Sequence, residues 1–198
     1  VGGGGYFAKS GAPQAAGRLP EAPAAPPVLG DLDGDGWLEV VVPSGTAVHA
    51  LRTDGLAAAW RQGAAGEAGA AQQGFPAVLP RFAELAALAH APALADVDAD
   101  GRQEILLATD RGVFAVDDQG ALLPGFPLLP AGPVVDTPVA VDLDGDGRLE
   151  VAAATAEAVY VWDPAAVSPA YAGTIADWPQ AGGTATGAHA HARRTGAP

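Results

Sequence analysis

Three nine-residue windows constrain this chain more than any other feature: DLDGDGWLE at 31–39, DVDADGRQE at 96–104 and DLDGDGRLE at 142–150. Their starts lie 65 and 46 residues apart, a period at which self-similar sequences build solenoids, propellers and arrays. The similarity extends beyond the acids. Pro and small apolar residues precede each window: Pro27–Gly30, Pro92–Ala95 and Pro138–Val141. An apolar run follows it: Val40–Val42, Ile105–Leu107 and Val151–Ala153. A second alternating segment comes next, at Ala47–Leu51, Gly112–Val116 and Ala158–Trp162. Turn residues follow at Thr53-Asp54-Gly55 and Asp118-Gln119-Gly120, and then a Gly-Phe-Pro tripeptide at 74–76 and 125–127. Trp178-Pro179 reads as a diverged third copy of that tripeptide.

Short apolar runs bounded by Gly, Pro and Asp read as strands. Each repeat therefore predicts three or four strands. One such meander cannot bury both faces of its sheet, so the repeats must stack. The expected fold is all-β: a propeller-like array of short antiparallel blades carrying calcium loops. Residues 1–25 form a Gly/Ala/Pro-rich N-terminal segment, a source for an outer blade strand. Residues 26–163 hold the three repeats, at about 26–80, 91–130 and 137–163, and 164–198 form an extended C-terminal tail. The longer first repeat places a loop insertion at 57–74, and RFAELAALA at 81–89 reads as a short helix or an irregular strand.

The windows carry the chemistry. Each has Asp at positions 1, 3 and 5, Gly at 6 and Glu at 9. Alternate carboxylates in a curled loop converge on one point, and glycine at position 6 permits the positive φ that curls it. The expected ligands are Asp31, Asp33, Asp35 and Glu39, then Asp96, Asp98, Asp100 and Glu104, then Asp142, Asp144, Asp146 and Glu150. Backbone carbonyls at position 7 (Trp37, Arg102, Arg148) complete each set. Five to six hard oxygens plus water suit Ca²⁺, whereas Mg²⁺ wants a tighter octahedron with more retained water. Position 12, where an EF-hand or dockerin loop needs an acid, is Val42, Leu107 or Ala153. A single such stretch would read as a solvated Asp-Gly turn. Three complete copies make about three calcium sites the better reading.

These windows, set between a small-apolar strand and a Val/Ile/Leu strand, resemble the FG-GAP/VCBS repeat of integrin-α-like β-propellers. The resemblance covers roughly residues 26–163. Asp177–Gln180 through Thr195-Gly196 also resembles the tail that follows the last repeat in many secreted bacterial members. Two departures stand out. Glu occupies position 9, where integrin loops more often carry Asp, and only three windows occur, fewer than the roughly four to eight blades of a closed propeller.

Composition narrows the function. The net charge is −13, and twelve of the 23 acids lie in the windows, so three divalent cations would bring it to −7. Such a chain is repelled by phosphate backbones, which argues against nucleic acid. Cys is absent, which removes disulfides and thiolate metal sites. Met is absent too, and the chain begins at Val1, as expected of a processed product or a piece of a longer protein. No apolar run approaches the roughly 18 residues of a membrane-spanning helix.

Other chemistries find little footing. Ser10, Ser44 and Ser168 lack a nucleophile-elbow context, and Gly2–Gly5 lacks the Lys-Ser/Thr of a phosphate loop. Paired carboxylates can act on a glycan, but three equivalent sites do not make one asymmetric active site, so no enzyme is expected. His49 shares its repeat position with Phe114 and Tyr160 and reads as a strand side chain, while His189 and His191 lie in the Gly/Ala-rich tail. Trp162 is expected between blades and Trp37 exposed. The resulting expectation is an extracellular or cell-surface module, with the periplasm as another setting. Its role would be structural, adhesive or in assembly, binding a protein, a surface polymer or itself. The alternatives are a glycan-binding, lectin-like propeller and the non-catalytic domain of a secreted hydrolase.

Overall fold

The computed structural model describes residues 19, 21–23, 25–53, 71, 74–78 and 88–166. Most of the expected insertion at 57–74, the 81–87 part of the helix-or-strand segment, nearly all of the tail from 164, His189, His191, Trp60, Tyr171 and Trp178 lie outside them. Of that helix-or-strand segment, residues 88 and 89 are described and are in neither a helix nor a strand.

The described chain is all-β. In the first repeat β1 is Val28–Gly30, β2 Glu39–Ser44, β3 Ala47–Leu51 and β4 Ala77–Val78. The second has β5 at Ala93–Ala95, β6 at Glu104–Thr109 and β7 at Gly112–Val116. The third has β8 at Val139–Val141, β9 at Glu150–Ala154 and β10 at Val159–Trp162. A single 3₁₀ turn follows at Pro164–Ala166. The strands make one four-stranded and two three-stranded antiparallel sheets, each running in chain order. No barrel or closed ring of blades is found among the described residues.

Local chemistry sets these elements. Val, Ile and Leu runs favour a pleated, half-buried surface, and each nine-residue window makes the turn from the first strand of a repeat to the second. The turn between β6 and β7 is held by its own side chain: Thr109 Oγ1 donates to the Gly112 carbonyl at 2.8 Å and accepts from the Arg111 amide at 3.0 Å. Thr155 plays the same part between β9 and β10. After β7, Leu122 and Leu128 bridge back to Val116 and Val113, where the first repeat has β4. Both Phe-Pro bonds, Phe75-Pro76 and Phe126-Pro127, are cis.

The sheets stack in one direction. Strand pairing places Val28, Val41 and Ala50 in a row on one face of the first sheet. That face joins Leu94, Ile105, Leu107, Phe114 and Val116 of the second sheet in one core, which also takes Phe75. The opposite face of the second sheet, with Ala93, Leu106 and Ala115, meets Ala140, Val151 and Ala153 of the third, with Phe126 and Trp162 packed beside them. The middle sheet is thus covered on both faces, and β6 and β7 are buried at every residue. Trp162 lies between sheets, as the sequence predicts. Trp37 departs from expectation: it is half-buried and not exposed.

Candidate metal centres

Each loop leaves its first strand at position 1 and enters its second at position 9, so the strand pair fixes both ends. Four hydrogen bonds recur in all three. The position 6 amide donates to Oδ2 of the position 1 Asp: Gly36 to Asp31 at 2.9 Å, Gly101 to Asp96 at 3.0 Å, Gly147 to Asp142 at 3.0 Å. The position 5 amide donates to Oδ1 of the position 3 Asp at 3.1–3.2 Å. The position 7 amide donates to Oδ1 of the position 5 Asp at 2.7–2.9 Å. These bonds curl the backbone and hold one oxygen of each Asp; in the third loop Asp142 Oδ1 also accepts the Gly145 amide, at 2.7 Å. The position 6 glycines have φ of 85°, 90° and 87°, a left-handed conformation costly to side chains. An added Cβ there would meet nothing within 4 Å, so φ and not space requires glycine.

The fourth bond assigns the position 9 Glu a task that the sequence does not announce. Glu39 Oε2 accepts the Leu32 amide at 3.0 Å, Glu104 Oε2 the Val97 amide at 2.6 Å and Glu150 Oε2 the Leu143 amide at 2.8 Å. The position 2 side chains Leu32 and Val97 are buried, so this clasp closes the first two loops over the core, whereas Leu143 of the third is exposed.

Three of the four acids of each loop converge. Ligand atoms of Asp31, Asp33 and Glu39 lie within 4.8 Å of one another, as do those of Asp96, Asp98 and Glu104, and of Asp142, Asp144 and Asp146. Asp35, Asp100 and Glu150 stand outside these trios. The donor set fits a cation. Asp31 Oδ1 and Glu39 Oε1 are buried with no hydrogen-bond partner, and a buried acceptor without a donor is costly. Burial pushes the Glu39 carboxyl up to about 8 and that of Glu104 up to about 9, and neighbouring aspartates push the same way. Burial also raises Asp31 and Asp98. These groups resist ionising together until a positive charge joins them.

The loops differ in their arginines, which sequence reasoning missed. Arg52 reaches from the end of β3 to Asp35 Oδ2 at 3.1 Å and Asp33 Oδ2 at 3.8 Å. Arg148 holds Asp146 Oδ2 at 2.7 Å and thereby lowers that carboxyl. Arg102 instead turns to Asp118 at 2.6 Å. Asp118 sits one 65-residue repeat after Thr53, whose hydroxyl donates to the Leu38 carbonyl at 2.6 Å. That shared offset was the only sequence signal for a tie at this place. His49, buried on β3, has its side chain pushed towards neutrality by that burial and stands apart from the three trios.

No family model matches this sequence, and neither does any curated protein. A solved structure does: the crystal structure of the V. cholerae biofilm matrix protein Bap1 is 22% identical, with a TM-score of 0.45, over 70% of this chain and 23% of that one. The chain thus spans less than a quarter of that neighbour's length. The resemblance to FG-GAP/VCBS repeats rests on the windows and their strand context.

Proposed function

We propose that each window binds one Ca²⁺ and that the chain is a calcium-stapled repeat module with a structural, adhesive or assembly role outside the cytoplasm. The observation that carries this reading is the pair of buried, unpartnered oxygens, Asp31 Oδ1 and Glu39 Oε1, within a carboxylate trio. Such oxygens are ready ligands. In each loop the position 1, 3, 5 and 9 carboxylates and the carbonyl of Trp37, Arg102 or Arg148 supply the set. A cation there neutralises crowded carboxylates and ties position 1 to position 9, and so the first strand to the second. One-directional stacking of small antiparallel sheets supports a propeller-like arrangement.

Three repeats of one carboxylate loop favour a structural role over catalysis. A glycan platform is less favoured: Tyr160 and Trp162 are stacked, with centroids 5.7 Å apart and planes at 14°, but Trp162 packs on the second core. Affinity on the order of 10⁻⁴ to 10⁻³ M is expected, as in extracellular modules. Calorimetry on chelator-stripped protein should give three equivalents of Ca²⁺. Zero or one equivalent would sink the proposal.

A further inference from the structure

The two sheet-to-sheet contacts obey one rule, and the third sheet leaves it unfinished. Strand register lines up three residues across each sheet, one row per face. The forward rows, on the face turned towards the next repeat, are Val28-Val41-Ala50 and Ala93-Leu106-Ala115. The rows that cover them are Leu94-Ile105-Val116 and Ala140-Val151-Trp162. Forward rows are mostly Val and Ala. Their covers carry bulkier groups, as interdigitated packing requires.

On the third sheet the forward row is Val139-Ala152-Val161, and no described sheet covers it. Val161 is 54% exposed and its neighbour Val159 is 72% exposed. The face has the composition of the two forward rows that are buried. At the other end of the stack, the rear row of the first sheet is Leu29-Val40-Leu51. It is half-buried, and no described sheet stacks on it. These residues stand 65 positions before Leu94, Ile105 and Val116, the row that already covers a Val/Ala face inside the chain.

We infer that the forward face of the third sheet docks on the rear face of the first sheet of a second copy. The contact is head-to-tail and continues the internal stacking rule. Two copies joined at both ends bring together six described sheets, within the roughly four to eight blades that close a propeller. Closure leaves no forward face bare, and a bare apolar face is something soluble proteins rarely keep. The inference rests on the calcium-stapled repeat reading above and names a partner for it.

Sedimentation of the full chain in calcium tests both. A dimer of about 39 kDa, twice 19.6 kDa, is expected. Val161→Asp and Val40→Asp should each weaken dimerisation at least about tenfold, because each puts a charge into an apolar seam. An equimolar mixture of the two variants should recover a heterodimer, since one seam then joins two unaltered faces. Circular dichroism and calcium stoichiometry establish that each variant folds. A wild-type monomer that still binds calcium overturns the docking and leaves the calcium reading standing. A dimer indifferent to Val40→Asp overturns the head-to-tail contact in favour of two forward faces meeting. A chain of any mass that binds no calcium overturns the calcium reading instead.

Discussion

Replacing Glu104 by Gln separates the two tasks of this side chain. Its Oε2 accepts the Val97 amide, and burial pushes its carboxyl up to about 9. At pH 7 without calcium the group is therefore mostly protonated. A neutral amide of the same shape can take the same N–H and carries no charge to ionise on unfolding, so at pH 7 the metal-free variant should be no less stable than the wild type. In calcium the missing negative ligand removes one site. At free calcium ten times Kd, a site contributes RT ln 11, about 1.4 kcal/mol. In a chain of this size that lowers Tm by about 3–6 °C. The pH dependence has a definite sign. A carboxyl raised from 4.5 to about 9 favours the folded state below 4.5, and that advantage fades as pH rises through about 9. In chelator, the wild type should thus lose stability relative to Glu104→Gln as pH climbs from about 5 to 9. Scanning calorimetry with and without chelator, at pH 7 and 9, reads all of this. A variant that melts equally far below wild type in chelator and in calcium at pH 7 would refute the reasoning: Glu104 would then be only the clasp on Val97.

Two further substitutions probe the loops. Ala99 has a φ of 62° where its counterparts are Gly34 and Gly145, at 74° and 80°. The left-handed conformation costs roughly 1 kcal/mol, partly offset by the freedom glycine gains when unfolded, so Ala99→Gly should stabilise by about 0.5 kcal/mol; an unchanged or lower urea midpoint would contradict this. Arg52→Ala frees the oxygens of Asp33 and Asp35 that face the guanidinium, and should tighten the first site by up to about fivefold, the worth of an exposed ion pair. Terbium luminescence sensitised by Trp37 in that loop would report it, and equal or weaker binding would count against competition.

Much of the fold was legible in the residues themselves. Val40–Val42, Ile105–Leu107 and Val151–Ala153 announce β2, β6 and β9, because β-branched and apolar runs between turns have few other uses. The alternating segments announce β3, β7 and β10 nearly to the residue. The curl of the loops was equally plain, since Asp-x-Asp-x-Asp-Gly supplies the carboxylates and the glycine that a tightly turned backbone needs. These are local properties, set within about ten residues of chain. What only the tertiary structure decided is non-local. Alternation places Val40 and Val41 on opposite faces but does not say which neighbour each will meet; the stacking of three sheets does. The same DGR sequence in the second and third windows sends Arg102 to Asp118 and Arg148 back to Asp146, because Asp118 stands beside the second loop. Glu39 reads as a ligand in sequence, yet it is also a clasp on Leu32, and burial gives it a carboxyl that resists ionising. Desolvation depends on what packs overhead, and a residue's sequence neighbours do not determine that.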